Sequence, residues 1–266
     1  VGRYGVSEGK PRAGVTALGA YAPPKVVTNF DLEKIMDTSD EWITSRTGIK
    51  RRHVSADDEF TSDLAFRAVE DLLARHGDDA LAGVRLRAGA FDLLAACPGW
   101  LYAVGIAKGL VESGQCRRVL AIGAEALTKI VDWSDRSTAV LFGDGAGAAI
   151  IEAVPEPYGV KGVVLGADGS GADQLHKRSV GACLPSGTPL AESLYMNGRE
   201  VYKFAVRVMN TATVEAVQKA GLSVDDISLF VPHQANLRII EAAREPLGLS
   251  RDRVGVTVDE YRNNST

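Results

Sequence analysis

The sequence lacks the features that mark several large classes of protein. Its 266 residues include only three cysteines, an odd number without metal-type spacing: Cys97, Cys116 and Cys183. A disulfide framework is therefore not expected, and a reducing compartment, the cytoplasm, is predicted. No two of the four histidines have the spacing of a zinc site, so we predict no bound metal.

Basic clusters and long apolar runs are missing too. The formal net charge is −4, and the longest run of Lys and Arg is residues 50–52. A nucleic-acid-binding surface needs a basic stripe. Asp144 interrupts the most hydrophobic region, and no apolar run reaches the length of a membrane span. The sequence therefore predicts a protein with neither a nucleic acid nor a membrane as its partner.

What is present is the composition of an α/β protein with a large core. Hydrophobic residues make up 45% of the chain and there are 28 glycines. Strand-like and helical runs alternate, and the order helix, strand, polar loop, helix, strand occurs in both halves, which indicates an internal duplication. The predicted strands are residues 15–18, 89–94, 118–123, 160–167, 228–231 and 253–258, with two more inside 138–152. The predicted helices are residues 31–36, 39–46, 61–76, 101–113, 198–220 and 237–245.

Three helices have patterns that predict their surroundings. Residues 61–76 place Leu64, Ala68, Leu72 and Leu73 on one face, which is typical of an amphipathic helix. Residues 101–113 are apolar almost all round, and such a helix is expected to be buried. Residues 198–220 are expected to turn four apolar side chains inward: Val201, Phe204, Val208 and Val214.

A cysteine and a proline stand together in the stretch AACPGW, residues 95–100. Proline is tolerated in the first turn of a helix, so we predict that Pro98 is the first helical residue and Cys97 the N-cap. A sulfur at a helix N-terminus favours the thiolate. From position alone, Cys97 is either a nucleophile or a small buried apolar residue. Residues 142–148, FGDGAGA, are rich in glycine but lack the Lys-Ser/Thr pair that ends a phosphate-binding loop. They predict close backbone packing between strands.

Two polar clusters follow predicted strands in the second half. One is VPHQAN, residues 231–236, which contains His233; the other is YRNN, residues 261–264. Polar side chains at the carboxyl ends of strands commonly form the active sites of α/β proteins. We therefore expect a cysteine, a histidine and an asparagine to meet at one face. Alone, a histidine such as His233 is more often a hydrogen-bonded structural residue, and the two asparagines could simply form a turn.

Five separated segments together resemble the β-ketoacyl-[acyl-carrier-protein] synthase III family, condensing enzymes of the thiolase fold. They are DTSDEWITSRTGIKRRHV, AACPGWLYAV, DRSTAVLFGDGAGAAI, MNGREVYKFAVRVM and VPHQANLRIIEA. The resemblance runs from about Val15 to Thr266. It implies an α/β, thiolase-like fold of two pseudo-repeated βαβαβ halves in five layers, α-β-α-β-α. Residues 15–157 would form the half with the nucleophile and the coenzyme A elements, and residues 158–266 the half with the histidine and asparagine.

The resemblance also implies a reaction. Cys97, His233 and Asn263 match a catalytic triad for decarboxylative Claisen condensation of an acyl-CoA primer with malonyl-acyl carrier protein. The reaction starts a fatty-acid or polyketide chain in a homodimer with no permanently bound cofactor. One alternative is a same-fold polyketide starter synthase, or an acyltransferase that moves the acyl group from coenzyme A to another acceptor. A second alternative is a non-catalytic subunit that binds a carrier protein.

Substrate-binding residues follow from the same resemblance. Trp42 and Arg136 match the pair that holds the adenine of coenzyme A, and Arg46 and Thr38 match its phosphate and base contacts. Asn236 matches a residue near the pantetheine arm. The carrier-protein docking residues would be Gln234, Ala235, Asn236, Leu237, Arg238 and Arg244. The two arginines could also be an ordinary solvated face, and Trp42 an ordinary partly exposed aromatic.

Some positions depart from the family pattern. Pro98, Trp100, Arg262 and Asn264 replace residues of other types, and the first two are expected to reshape the acyl pocket. Asn263 is preferred over Asn264 because it keeps the spacing from Asp259. Residues found in the family are expected to be absent near Asp79 and Ala80, and after Thr266. Cys116 and Cys183 are predicted to be inert.

Overall fold

The computed structural model describes residues 12–82, 88–177, 191–261 and 263. Its strands are β1 (Arg12–Tyr21), β2 (Val26–Thr28), β3 (Arg51–His53), β4 (Arg118–Ala126), β5 (Asp144–Val154), β6 (Leu175–His176) and β7 (Tyr195–Met196). Its α-helices are α1 (Asn29–Leu32), α2 (Asp40–Thr47), α3 (Thr61–His76), α4 (Gly99–Glu112), α5 (Gly198–Lys219) and α6 (Leu237–Arg244). Among the described residues, no helix has both the length and the apolar character that crossing a membrane requires.

The main sheet is antiparallel and has the order β1-β5-β4. Its middle strand, β5, is apolar and buried because the sheet lies between two helices. Ala68 and Leu72 of α3 pack with Ile150 on one face, and Ala107 and Val111 of α4 pack with the other. The second edge of β4 pairs with no strand in the described part of the chain.

The close approach of α3 to the sheet requires a glycine at position 19. A Cβ placed on Gly19 would lie 2.3 Å from the carbonyl oxygen of Ala68 and 2.4 Å from the amide nitrogen of Leu72. Those distances are far inside van der Waals contact, so only glycine lets α3 lie this close to β1.

A second core joins the segment 26–54 to residues near the C-terminal end of the chain. Leu32, Ile43 and Ile49 pack against Ile240 of α6 and against Val258. The helix α2 begins at the N-cap Ser39, whose hydroxyl accepts a hydrogen bond from the Trp42 amide, and ends at Gly48 in the left-handed region. This confirms the predicted helix and its N-cap.

A buried polar network holds the start of this segment. The guanidinium of Arg52 donates to the backbone oxygen of Thr28 and to Oδ1 of Asn29, and both Arg52 and Asn29 are fully buried. Burial lowers the pKa of Arg52 to about 10. The Asn29 amide in turn donates to Asp40 of α2 and to the backbone oxygen of Ile49. The network therefore fixes α2 relative to β3.

Helix predictions agree with the structure more often than strand predictions. The bounds 61–76 are confirmed, and so is the burial of Leu64, Ala68 and Leu72. Helices α5 and α6 and strands β1 and β4 are also where they were expected. Residues 228–231 and 253–258 contribute only one parallel bridge, between Phe230 and Val254.

Besides residues 228–231 and 253–258, three further strand predictions are wrong. Residues 89–94 form no strand and pair with none in the described ranges. Residues 138–141 form turns, because the carboxylate and carbonyl of Asp135 accept hydrogen bonds from the residues that follow it. Residues 160–167 lie between α4 and α5: Gly162 approaches the backbone of Ala216, and Gly166 accepts a hydrogen bond from Tyr102.

The predicted burial of two helices is also wrong. In α4 only Gly99, Ala107 and Val111 are buried, and Leu101 is 58% exposed. In α5 no residue is buried, and Phe204 and Val208 are exposed. Each helix has one face against the rest of the chain, and no described residue covers the other. The predicted division of the chain at residues 157 and 158 stays a prediction.

Candidate active site

Cys97 is one residue farther from the start of α4 than the sequence predicts. The helix α4 begins at Gly99 and its N-cap is Pro98, so the expectation that Cys97 caps the helix is wrong. The reason is a tight turn at Ala96, which has a φ of 48° and whose carbonyl accepts a hydrogen bond from the Gly99 amide at 2.8 Å. The side chain of Cys97 is partly buried. The turn places it immediately before the positive end of α4.

His233 lies in the loop before α6, and its imidazole has an unused hydrogen-bonding atom among the described residues. Its Nε2 atom is shielded from solvent and has no hydrogen-bond partner among the described residues. Burial lowers the pKa of the imidazole from 6.5 to about 4, so the ring is neutral at physiological pH. A buried ring nitrogen without a partner is unfavourable unless a ligand supplies one.

The loop of His233 is tied to the loop that leads to Asn263. Gln234 donates to the carbonyl oxygens of Pro232 and Gly255 and accepts from the Thr257 amide. All of its amide groups are therefore used within the chain. Asn263 is buried, and its carbonyl accepts from the Gly143 amide at 3.2 Å. The structure thus brings the predicted histidine and asparagine segments together through residues 255–261, whereas the position of Cys97 relative to them stays a prediction.

An unpredicted residue, Asp144, fixes the backbone that contacts Asn263. It is fully buried and accepts four hydrogen bonds, from the amide and hydroxyl of Ser55 and from the amide and hydroxyl of Thr128. A lone carboxylate inside an apolar glycine-rich stretch was the available signal, because a buried charge requires several donors. The stretch FGDGAGA therefore serves to hold loops, in addition to forming the start of β5.

The predicted coenzyme A residues form one cluster on α2 and the loop after β4. The Arg46 and Arg136 guanidinium carbons lie 4.9 and 5.1 Å from the centroid of a Trp42 ring. Arg136 also donates to the carbonyl oxygen of Asp37 at 2.8 Å. Next to them, Oγ1 of Thr38 is shielded and has no hydrogen-bond partner in the described ranges. A flat aromatic ring, two cations and an unused hydroxyl suit a nucleotide with phosphates.

The predicted carrier-docking residues fall into two groups. Arg238 is exposed and forms no ion pair with a described residue, whereas Arg244 is largely buried between Glu241 and the carbonyl of Leu249. Asn236 is the N-cap of α6, with its side chain accepting from the Arg238 amide at 2.8 Å. Leu237 packs against the core beside Gly48, and Ala235 is partly buried in the loop.

Comparison with known proteins places the chain in a family. Residues 91–169 match the family 3-oxoacyl-[acyl-carrier-protein (ACP)] synthase III, and residues 217–266 match its C-terminal family. A β-ketoacyl-[acyl-carrier-protein] synthase III of Deinococcus deserti is 46% identical over 95% of this chain and 79% of its own length. That alignment spans 278 positions, more than the 266 residues of this chain, so the relative has internal residues without a counterpart here.

Solved structures show the same fold. The β-ketoacyl-[acyl carrier protein] synthase III of Thermus thermophilus has a TM-score of 0.93 and 58% identity, and the match covers 95% of this chain and 86% of that one. The priming β-ketosynthase of the R1128 polyketide biosynthetic pathway has a TM-score of 0.83 and 34% identity, covering 98% and 86%. These matches confirm the predicted thiolase-like α/β fold class. The chain belongs to the β-ketoacyl-[acyl-carrier-protein] synthase III family of condensing enzymes.

Proposed function

We propose that the chain joins an acyl-CoA primer to malonyl-acyl carrier protein by decarboxylative condensation and so starts a fatty-acid chain. One observation carries the proposal within this family. The neutral His233 has a shielded Nε2 to which no described residue offers a hydrogen bond, and its loop is tied to the loop that leads to Asn263. The imidazole N–H of His233 and the side-chain amide of Asn263 are two neutral donors, and such donors suit a thioester oxygen that becomes negative during the reaction.

The first half-reaction uses Cys97. Its thiolate attacks the acyl carbon of acyl-CoA, the bond from that carbon to the coenzyme A sulfur breaks, and coenzyme A leaves as a thiolate that takes up a proton. The position of Cys97, two residues before α4, favours the anionic sulfur through the positive end of the helix. The product of this step is an acyl-Cys97 thioester.

The second half-reaction uses His233 and Asn263. Loss of CO2 from the malonyl group leaves its bonding electrons in an enolate, whose oxygen accepts from Nε2–H of His233 and from the Asn263 amide. The enolate carbon attacks acyl-Cys97, the carbon–sulfur bond breaks, and Cys97 returns as the thiolate. A neutral imidazole is suited to donate here, because in the Nε2–H tautomer it stabilises the enolate without giving up its proton.

Adenine binding requires a local movement of Arg136. A ring held between two flat groups needs two stacking distances of about 3.5 Å each, or about 7 Å in all. The Arg136 guanidinium carbon is 5.1 Å from the Trp42 ring centroid, which is less than the space that an adenine between them needs. Arg136 is exposed, and its side chain can withdraw by about 2 Å when adenine enters.

Two further features support partners of the enzyme. Arg238 is exposed and forms no ion pair with a described residue, so it, and not the compensated Arg244, is suited to meet an acidic carrier protein. Phe91 and Leu94, in the segment that leads into α4, are 68% and 98% exposed, and Leu101 of α4 is 58% exposed. An apolar surface of this kind supports the homodimer. The reducing, cytoplasmic location rests on the small, odd number of cysteines in the sequence.

The proposal is tested by following both half-reactions. Incubation with acetyl-CoA and longer or branched acyl-CoAs should add one acyl mass at Cys97, and the Cys97→Ser variant should add none. The Cys116→Ser variant is the matched control and should behave as wild type. Malonyl-carrier protein should then release CO2, and Trp42→Ala should raise the KM for acyl-CoA. Failure of every acyl-CoA to modify Cys97 would overturn the proposal.

A polyketide starter synthase is the second candidate. The observation in its favour is the structural match to the R1128 priming β-ketosynthase, together with Pro98 and Trp100 next to Cys97. Trp100 packs against the core beneath α4 and so can alter the shape of the acyl pocket. Ranking primers by rate separates the candidates, because a preference for unusual primers would favour polyketide synthesis. An acyl-enzyme without CO2 release would indicate an acyltransferase, and an unreactive Cys97 a non-catalytic subunit.

A further inference from the structure

The segment of residues 50–55 contacts the Asn263 loop directly. The Lys50 amide donates to the carbonyl of Asp259 at 3.3 Å. Arg51 forms an ion pair with Glu260 at 2.7 Å. Next along the strand, the rings of His53 and Tyr261 stack with centroids 5.7 Å apart and planes at 14°. Three successive residues before Asn263 are therefore each held by this segment.

The same segment also reaches Asn263 from the other side. The amide and hydroxyl of Ser55 donate to Asp144 at 2.8 and 2.7 Å. Asp144 directly follows Gly143, whose amide donates to the carbonyl of Asn263. Phe142 and Asn263 form a parallel bridge at this point. Asn263 thus lies between two sets of contacts that start from one short stretch of chain.

The segment is rigid enough to serve as a support. Its strand β3 pairs with β2 over three residues, and Arg52 is fully buried with its guanidinium bonded to Thr28 and Asn29. Nδ1 of His53 lies 2.6 Å from the carbonyl oxygen of Pro23, which fixes the orientation of the ring. The support is therefore built into the second core and does not depend on α4 or Cys97.

We propose that residues 50–55 are positioning residues that set the direction of the Asn263 amide. This rests on the proposed function, in which Asn263 serves only the step that releases CO2. Misplacing a donor by about 1 Å can reduce a rate by about 100-fold. Releasing one of several contacts moves Asn263 less, so a loss of about tenfold is expected. Acylation of Cys97 does not use Asn263 and should be unchanged.

The test compares the two half-reactions in ion-pair variants. Glu260→Arg places two cations opposite each other and should slow CO2 release about tenfold, while the rate of Cys97 acylation stays within about twofold. The charge-swapped variant, Arg51→Glu with Glu260→Arg, should restore most of the lost rate. The matched control is Glu70→Arg, which reverses the similarly exposed Arg67–Glu70 pair on α3 and should change neither half-reaction.

A second set of variants separates positioning from general damage. Tyr261→Leu removes only the ring stack and should show the same selective loss if Glu260→Arg fails to fold. In an Asn263→Ala background, neither change should slow CO2 release further, because the residue that they position is gone. Equal losses in both half-reactions, or a full additional loss without Asn263, would overturn the proposal. A wild-type protein that is never acylated at Cys97 would instead overturn the proposed function.

Discussion

Replacing His233 with glutamine removes a titrating group whose burial has a measurable effect on folding. The His233 imidazole has a pKa lowered from 6.5 to about 4 because its surroundings exclude water. In the unfolded chain the ring is exposed and its ordinary pKa returns. The unfolded state therefore binds more protons than the folded state between pH 6.5 and pH 4. In that window the folded state loses stability as the pH falls.

The size of the effect follows from the pKa difference. Each pKa unit corresponds to about 1.4 kcal/mol, so a fall from 6.5 to about 4 corresponds to about 3–4 kcal/mol when both states are protonated. At pH 5 the loss should already be about 2 kcal/mol, because the unfolded ring is then mostly charged and the folded ring mostly neutral. Above pH 7 the contribution should vanish.

Urea denaturation between pH 4 and pH 8 measures the effect. The free energy of unfolding of wild type minus that of His233→Gln should fall by about 3 kcal/mol from pH 7 to pH 4. Gln234→Ala is the control: it removes three hydrogen bonds but no titrating group, so its difference from wild type should not change with pH. Parallel curves for wild type and His233→Gln would refute the burial of a neutral imidazole.

Two further predictions concern the frame around the site. Gly19→Ala should destabilise the fold by several kcal/mol, because its Cβ would lie 2.3 Å from the Ala68 carbonyl oxygen. Gly109→Ala in α4 is the control, because its Cβ meets no atom within 4 Å, and it should stabilise the fold by about 0.5–1 kcal/mol. Thermal melting of both variants measures these effects, and similar shifts in melting temperature would contradict the prediction. Asp144→Ala should lower the free energy of unfolding by about 3–5 kcal/mol, since it leaves buried donors of Ser55 and Thr128 unpaired. Urea denaturation measures that loss, and a variant as stable as wild type would show that the four hydrogen bonds are replaceable.

The helices could be predicted because their signals are local. The period of apolar residues in α3 and the Ser39 cap of α2 both involve residues only a few positions apart in the sequence. The failed strands depend on residues far away. Residues 89–94 have a strand-like composition, but no strand pairs with them in the described ranges, and β4 keeps an open edge. Strand formation needs a partner, and the sequence alone does not show whether one is present.

The site shows the same division. The motifs containing His233 and Asn263 are recognisable along the sequence, but the contacts that hold them are not. Arg51 and Glu260 are separated by more than two hundred residues, and Asp144 bonds to Ser55 across 89 positions. Each is an ordinary polar residue in its local context. Only the packing of segment 26–54 against the C-terminal residues gives them their partners.

Helix α4 is the place where local sequence and single-chain packing disagree most. It is apolar almost all round, yet only three of its fourteen residues are buried. In natural proteins the local apolar pattern of a helix usually matches its burial in the fold, and a mismatch of this kind indicates a functional surface. The proposed homodimer removes the disagreement, because a partner would cover Leu101 and its exposed neighbours. Cys97 lies two residues before this helix, so the element that presents the proposed nucleophile is also the one that a partner would stabilise. Assembly and the first half-reaction are therefore expected to depend on the same helix.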